Sequence, residues 1–150
     1  MSRISSFLWF NDQAEEATEY YVSLVPNSKV GKVTRGPDGK VLVVNFELDG
    51  QQFVALNGGP QFAFTEAFSI FVTCDSQAEV DELWNTLTEE GEEGQCGWLK
   101  DRYGLSWQIV PVRMLELLND PDPARAKRAM DAMMGMRKLD VAELEAAAQG

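Results

Sequence analysis

Polar side chains that could act on a ligand are scarce in the apolar segments of this chain, and Gln108 is the most conspicuous of them. It lies in the run LSWQIV, whose other residues are mostly apolar or aromatic. The 150 residues include no histidine, which excludes imidazole general bases, Ser-His-Asp and Cys-His nucleophile systems, and histidine-ligated metals. Gln108 is therefore open to three interpretations: a substrate contact, a metal ligand, or a polar group tolerated in the core.

The two cysteines, Cys74 and Cys96, are the other groups that could react. Two cysteines at this spacing form no metal motif. A thiol is activated by a neighbouring base or cation, and the chain offers no histidine for that role. We therefore expect both thiols to be reduced and inert.

The charge balance limits the partners of the protein. The chain has 24 acidic and 13 basic residues, a formal net charge of −11. Nucleic acids and anionic membranes bind patches of Lys and Arg, so neither is an expected partner. No segment approaches the roughly 18 apolar residues of a membrane-spanning helix, and the first residues show no secretory signal. Length and composition predict a single globular domain in the cytoplasm.

An internal repeat predicts the strands and helices that position Gln108 and the two cysteines. The segment SSFLWFNDQAE, residues 5–15, aligns with SIFVTCDSQAE, residues 69–79, and the two share Ser, Phe and a final QAE at matching positions. Each copy is typical of a strand followed by a helix. Asp12 and Ser76 begin capping boxes that end three residues later in Glu, and a helical pattern of apolar residues follows each box.

Strand-like segments follow each predicted helix. In the first copy they are residues 28–36, 41–48 and 51–57, with turn signals between them. In the second copy they are QCGWLKD and LSWQIV, and the acidic run EEGEEG before them indicates a solvated helix end and loop. Each copy is thus predicted to be a βαβββ unit.

A helical tail is predicted after the repeat. The expected boundaries are module 1 at about residues 3–57, a linker at 58–65, module 2 at about 66–111 and the tail at 112–150. In the tail, Asp122 before Pro123 indicates a helix start, and Gly135 indicates its end. Asp140 begins a last short helix.

The helix after Asp122 carries a stripe of small and methionine side chains. Its members are Ala126, Ala129, Met130, Met133 and Met134. Such a stripe can pack on its own sheet, cover a cavity mouth or dock on a second subunit. We expect the subunit contact, and hence a homodimer.

Two tandem βαβββ units resemble the vicinal oxygen chelate superfamily of glyoxalase I, bleomycin-resistance proteins and extradiol dioxygenases. The segments FLWFNDQAEEATEYY, SIFVTCDSQAEVDELW, CGWLKDRYGLSWQIVP and the tail ARAKRAMDAMMGMRKLDVAELEAA resemble its PhnB-like branch, often labelled 3-demethylubiquinone-9 3-methyltransferase. The resemblance implies an α+β fold in which two tandem βαβββ modules form a curled mixed sheet around a shared cavity, with a C-terminal helical extension. Members of the superfamily are commonly dimers.

The resemblance also implies where a metal would bind. In metal-dependent members the ligands, typically His and Glu, come from the first and last strands of each module. The corresponding positions here are Ser5, Ser69 and Gln108, with Asn57 as the candidate for the last strand of the first module. Neutral oxygen donors provide no charge to balance a divalent ion, so we expect neither a bound metal nor a cofactor.

Strand alternation groups the candidate ligand contacts. It places aromatic and small polar side chains on one face of the first strand of each module, and it places Gln108 on a face with Ser106, opposite Trp107. The predicted ligand-binding residues are Ser5, Phe7, Trp9, Asn57, Ser69, Phe71 and Gln108.

Aromatic walls with a few neutral hydrogen-bonding groups are typical of a small-molecule pocket. We therefore predict a protein that binds a small organic molecule in an aromatic-walled cavity. A metal-assisted isomerase, lyase or dioxygenase is the first alternative. Methyl transfer is the second, and it is weakened because NGGPQ, the only clustered glycine pair, does not resemble a cofactor-binding loop. Whether the chain is an enzyme stays open.

Overall fold

The computed structural model describes residues 3–150. The chain divides into two compact units, with the boundary between Phe64 and Thr65. The elements of the first unit are β1 (Ser6–Phe10), α1 (Ala14–Leu24), β2 (Lys29–Arg35), β3 (Val41–Leu48) and β4 (Gln51–Asn57). Those of the second unit are β5 (Ser69–Cys74), α2 (Gln77–Thr88), β6 (Glu92–Glu93), β7 (Trp98–Lys100), β8 (Ser106–Pro111), α3 (Val112–Leu118), α4 (Pro123–Met134) and α5 (Val141–Gln149).

Each unit contains a four-stranded mixed sheet with the same connectivity. The strand order is β1-β4-β3-β2 in the first unit and β5-β8-β7-β6 in the second. The first and last strands of each module pair in parallel, and the other neighbours are antiparallel. The predicted α+β fold of two βαβββ modules with a C-terminal helical extension is confirmed, and neither sheet is closed into a barrel. No helix within residues 3–150 is long and apolar enough to cross a membrane.

Alternation along the strands builds the core of each module. In β1, Leu8 and Phe10 are buried whereas Phe7 is exposed, which is the pattern of a sheet covered by a helix on one face only. Tyr21 of α1 is fully buried, and Trp84 of α2 is only 2% exposed. Each module is therefore one helix packed on one face of one sheet, and the other face of each sheet is left without a helix of its own βαβββ unit.

The start of α1 differs from the predicted capping box. Asp12 was the expected cap, but the cap position is Gln13, whose side chain makes no capping hydrogen bond. The Ala14 N–H instead donates to the Asn57 Oδ1 at 2.8 Å. A side chain from the end of β4 thus satisfies one of the free helix amides, which is a tertiary contact that a local motif does not reveal.

The start of α2 confirms the predicted box. The Ser76 hydroxyl accepts from the Glu79 N–H at 3.2 Å. The Glu79 carboxylate reaches back to the Asp75 N–H at 3.1 Å, one residue before the cap. Both side chains of the box therefore bond backbone amides, and the carboxylate bonds the amide before the cap in place of the cap amide itself.

The predicted linker packs onto module 1. The Trp9 indole donates to the Gly59 carbonyl at 2.9 Å, and the Phe62 ring meets the Trp9 ring edge-on with centroids 4.9 Å apart. A β-carbon at Gly58 would overlap the Trp9 ring. The segment after β4 therefore belongs to the first unit, and its glycines permit close approach to Trp9.

The acidic run before β7 is not entirely a loop. Glu92 and Glu93 form the short edge strand β6, which pairs antiparallel with β7 through Lys100 and Leu99. The prediction of a solvated loop was wrong for these two residues. Both side chains are nevertheless exposed, as the charge run indicated.

A buried carboxylate closes the turn between β7 and β8. Asp101 is 3% exposed. Its Oδ1 accepts from the backbone N–H groups of Tyr103 and Leu105 at 2.8 and 3.1 Å. Its Oδ2 accepts from the Trp107 indole N–H at 2.9 Å. These charge-assisted hydrogen bonds hold the turn and orient the fully buried Trp107 ring.

The C-terminal extension contains three helices, of which two were predicted. The unpredicted helix, α3, follows β8 without a loop. As predicted, α4 begins after Asp122, whose side chain accepts from the Ala124 N–H at 3.0 Å, and its C-cap is Gly135. Asp140 caps α5, and its side chain accepts from the Glu143 N–H at 3.0 Å.

The predicted stripe of α4 is divided between core and surface. Ala129 is fully buried and Met133 packs beside it, whereas Met130 and Met134 are 42% and 61% exposed. The buried cluster comprises Val110, Met114, Leu117, Ala129, Leu139, Leu144 and Ala148. The extension therefore packs against its own module, which is one of the three packing alternatives, and a subunit contact through the exposed methionines stays a prediction.

Backbone hydrogen bonds attach the segment before α5 to module 2. The Cys96 N–H donates to the Met136 carbonyl at 2.8 Å, and the Gly97 N–H donates to the Arg137 carbonyl at 2.9 Å. Gly97 has a φ of +86°, and a β-carbon there would approach a Leu139 methyl carbon to 2.8 Å. Glycine at this position is thus required by both conformation and packing.

We expect the Asp101–Trp107 hydrogen bond to be a major determinant of stability. Asp101→Asn leaves one acceptor oxygen for donors on two sides of the carboxylate, so the free energy of unfolding should fall by about 1–3 kcal/mol. Trp107→Ala also removes the packed ring and should cost about 3–5 kcal/mol. Urea melts measure both, with the exposed Asp12→Asn as control. An Asp101→Asn protein as stable as wild type would contradict this assignment.

We also expect the extension to be part of the folded unit. Truncation after Pro121 removes α4 and α5 and uncovers the buried Val110 and Leu117, so the protein should lose stability or aggregate. In the full chain, Leu144→Ala should cost about 2–5 kcal/mol, whereas Gln149→Ala, at an exposed position of the same helix, should cost little. A truncated protein that is as soluble and as stable as the full chain in urea melts would refute this role.

Candidate functional site

The face of the second sheet that α2 leaves uncovered begins with a polar row. Register places Ser69 of β5 beside Ser106 of β8, Ser106 beside Lys100 of β7, and Lys100 beside Glu92 of β6. Residues at matching register positions point to the same face of a sheet. The row therefore runs across all four strands and joins two hydroxyls, an ammonium and a carboxylate.

The next row on the same face combines aromatic rings with an amide. Phe71 of β5 is paired with Gln108 of β8, and Gln108 is paired with Trp98 of β7. Phe71 is 49% exposed, and Gln108 and Trp98 are half-buried. Gln108 therefore lies between two rings, with Ser69 and Ser106 in the adjacent row.

Gln108 forms one hydrogen bond on this face. Its Nε2 donates to the Ser69 hydroxyl at 3.0 Å. Its Oε1 accepts no hydrogen bond from the residues that the structure describes. The predicted pairing of Gln108 with Ser69 and Phe71 on one face is thus present in the fold, and one acceptor of the amide is left available for a ligand.

Ser106 has a buried hydroxyl without a protein partner. The residue is fully buried, and its Oγ finds no hydrogen bond within residues 3–150. It lines a cavity of about 490 Å³ at the β6–β7 side of the sheet, together with Trp98, Lys100 and Cys96. Most buried hydroxyls have a partner, so an unsatisfied one beside a cavity indicates a group that something else is expected to bond.

The charged members of this cavity include one ion pair. The Lys100 ammonium lies 2.8 Å from a Glu66 carboxylate oxygen. Their hydrogen bond and charge attraction lower the pKa of Glu66 and raise the pKa of Lys100. Glu92 and Glu93 line the same cavity without an ion-pair partner in the described part of the chain.

The C-terminal extension limits the open face at one end. Alternation places Val110 on the same face as Gln108, two residues further along β8. Val110 is 1% exposed because it belongs to the buried cluster of the extension. The accessible part of the face is therefore the part that carries Gln108, Phe71 and Trp98.

The first module presents a more apolar face. Phe7 is 59% exposed, and Trp9 is half-buried under the segment with Gly59 and Phe62. Ser5 is exposed and precedes β1. Of the three residues predicted for this strand, only Phe7 thus offers a largely free side chain on the sheet face.

Asn57 does not lie at the position equivalent to Gln108. Parallel pairing sets Phe71 beside Gln108 in module 2 and Phe7 beside Val54 in module 1, so Val54 is the equivalent residue. Asn57 is paired with Phe10 instead. Its amide accepts from the N-terminus of α1, as described above, and donates to the Val41 carbonyl at 3.0 Å. Its hydrogen bonds are structural, and the role as counterpart of Gln108 is not supported.

The two thiols lie in different environments. Burial raises the pKa of the Cys74 thiol to about 11, and the nearby charges of Glu79 and Asp75 add to the effect. Cys74 is therefore protonated at neutral pH. Cys96 is partly exposed, adopts a φ of +58°, and directs its thiol to the Met134 carbonyl at 3.9 Å.

Metal-binding groups are not assembled in the residues described. Within residues 3–150, no three His, Cys, Asp or Glu side chains cluster as ligands of one ion. At the ligand-like positions of module 2, Ser69 and Gln108 bond each other, and the corresponding positions of module 1 carry Ser5 and Val54. A set of neutral donors and one apolar residue does not fit a divalent metal.

The sequence and the fold match proteins already known. A sequence profile of the family described as 3-demethylubiquinone-9 3-methyltransferase matches residues 2–110. A comparison with curated proteins gave no match. The profile match covers both modules and ends before the extension, so the predicted resemblance of the tail is not tested by it.

Solved structures share the fold. The PhnB protein from Bacillus cereus is 32% identical, and the alignment covers 73% of this chain and 99% of that one with a TM-score of 0.69. PA1353 from Pseudomonas aeruginosa is 19% identical, with 74% and 98% covered and a TM-score of 0.62. The fosfomycin resistance protein FosX from Listeria monocytogenes, solved with Mn(II) and sulfate, is 16% identical, with 74% and 90% covered and a TM-score of 0.50. The last two show the fold alone.

The resemblance to the PhnB-like branch is confirmed over the two modules by the profile and by the Bacillus cereus structure, and FosX shares the fold. Because the profile covers well over half of the residues, the chain belongs to the 3-demethylubiquinone-9 3-methyltransferase family.

Proposed function

We propose that the open face of the second sheet binds a small organic molecule, without assigning a reaction to it. Phe71 and Trp98 provide exposed aromatic surface on either side of Gln108. Ser69 and Ser106 provide hydroxyls in the adjacent row. This combination of apolar walls and a few placed polar groups is typical of a ligand pocket.

The proposal rests on two polar groups of this face that lack a hydrogen-bond partner. The Oε1 of Gln108 and the hydroxyl of Ser106 have no partner within residues 3–150. The two atoms differ in exposure, because the Gln108 Oε1 is accessible on the sheet face whereas the Ser106 hydroxyl is buried. A ligand with a donor in a matching position would complete the hydrogen bonding of the Gln108 amide.

Metal-assisted chemistry is the second candidate, because FosX has this fold and was solved with Mn(II). The donor set of this chain does not favour it. The pair Ser69 and Gln108 is neutral, and the equivalent positions of module 1 carry Ser5 and Val54, which add no charge. We therefore place binding ahead of metal catalysis.

Methyl transfer is suggested by the family description and is less well supported by the residues. The glycine pair Gly58 and Gly59 is engaged by the Trp9 ring and indole N–H. A loop used in this way is not free to wrap a cofactor. Calorimetry with S-adenosylmethionine tests this candidate directly.

A homodimer is part of the proposal. Met130 and Met134 on α4 are exposed and lie on one helix face, four residues apart. Exposed methionines adapt readily to a partner surface. The oligomeric state in solution, measured by light scattering, decides this point.

Gln108→Leu should separate binding from stability. The substitution removes the free amide acceptor, so affinity for a ligand found in a fragment screen should fall by about 1–3 kcal/mol, while the free energy of unfolding should change by less. Gln149→Leu, the same change at an exposed position, is the control. A strongly destabilised Gln108→Leu protein would instead make Gln108 a core hydrogen-bonding residue.

Metal content should be low. Because the candidate positions carry neutral or apolar side chains, protein purified without added metal should hold well under one equivalent of transition metal by elemental analysis. Stoichiometric zinc or nickel that survives dialysis and disappears in Gln108→Leu would support metal-assisted chemistry instead.

A further inference from the structure

We propose that the cavity beside β6 and β7 recognises an organic cation, namely the protonated amine of a ligand whose apolar body lies against Trp98. This inference rests on the proposed binding function and specifies the chemical class of the ligand. Trp98 connects this cavity with the open face, since it lines the cavity and is paired with Gln108 on that face.

The charge of the cavity favours a cation. Its lining residues include three glutamates, Glu66, Glu92 and Glu93, and one lysine, Lys100. Lys100 is engaged by Glu66 at 2.8 Å, and the charge of Glu92 also acts on Lys100 and raises its pKa. With three acidic residues and one basic residue, the lining keeps a net negative charge that attracts a cationic ligand. The net charge of −11 adds a long-range attraction for cations.

The aromatic and hydroxyl groups distinguish a ligand site from a solvated acidic edge. A cation beside an indole ring gains a cation–π interaction, and Trp is the best ring for it. The fully buried Ser106 lines the same cavity with an unpartnered Oγ. An edge that served only solubility would not require a cavity that also has an indole ring and a buried, unsatisfied hydroxyl in its lining.

A matched pair of probes tests the charge preference. 2-Phenylethylammonium and 2-phenylethanol differ mainly in the charged group, and the Trp98 indole resonance, assigned with Trp98→Phe, reports binding of either by NMR. In wild-type protein the ammonium compound should bind about fivefold more tightly. Raising the ionic strength from about 0.05 M to about 0.5 M should reduce this advantage, because screening weakens the attraction of exposed carboxylates.

Variants locate the source of the preference. In Glu92→Gln/Glu93→Gln the advantage of the ammonium compound should disappear while binding of 2-phenylethanol is unchanged. The control Glu82→Gln/Glu89→Gln makes the same change in charge on the same unit, outside the cavity lining, and should keep the advantage. If the double variant does not fold, Glu92→Gln alone should remove part of the advantage, because Glu92 shares the sheet face of Lys100 and Ser106.

The outcomes separate this inference from the proposed function. Equal binding of the two compounds to wild type, or an advantage that survives in Glu92→Gln/Glu93→Gln, overturns the cation preference and leaves small-molecule binding standing. If neither compound perturbs the Trp98 resonance up to its solubility limit, both the cation preference and the binding role of this face are rejected.

Discussion

The hydrogen bond between the Trp107 indole and the buried Asp101 carboxylate is the constraint on which the second module depends. Asp101 accepts three N–H donors and so fixes the turn before β8. With Trp107 held in the core, the two-residue period of a strand turns Ser106 and Gln108 to the opposite face. A slip of one residue would exchange the indole for the amide, leaving a polar group in the core and a large ring in the ligand face.

Parallel pairing of β5 with β8 then gives that face its composition. The register sets Ser69 beside Ser106 and Phe71 beside Gln108, so one row is polar and the next places the Gln108 amide beside an aromatic ring. β7 extends the rows with Lys100 and Trp98. The site is therefore a property of three strands in register, and the β7–β8 turn at Asp101 helps to maintain it.

Much of the fold could be predicted because its signals are local. The Ser76 and Asp122 caps each lie next to the helix that they begin. Each copy of the repeat is a short segment that contains a strand and the start of the following helix. The prediction of a capping box at Asp12 was wrong because a distant residue, Asn57, accepts the hydrogen bond from the start of α1. No local sequence pattern shows this contact. For the same reason the sequence grouped Gln108 with Ser69 and Phe71 by alternation, yet missed the buried, unpartnered state of Ser106, which depends on packing across strands.

The two modules differ at equivalent positions, and the difference bears on function. Where module 2 has Phe71 and Gln108, module 1 has Phe7 and Val54. Both modules need only the opposite face of the sheet to pack their helix, so the fold itself does not demand an amide at one position and an apolar residue at the other. An amide that lies between two aromatic residues on an uncovered face, with its acceptor oxygen open, is more consistent with ligand recognition than with core packing. The extension strengthens this argument, because it buries Val110 at the end of the same strand while Gln108 stays accessible.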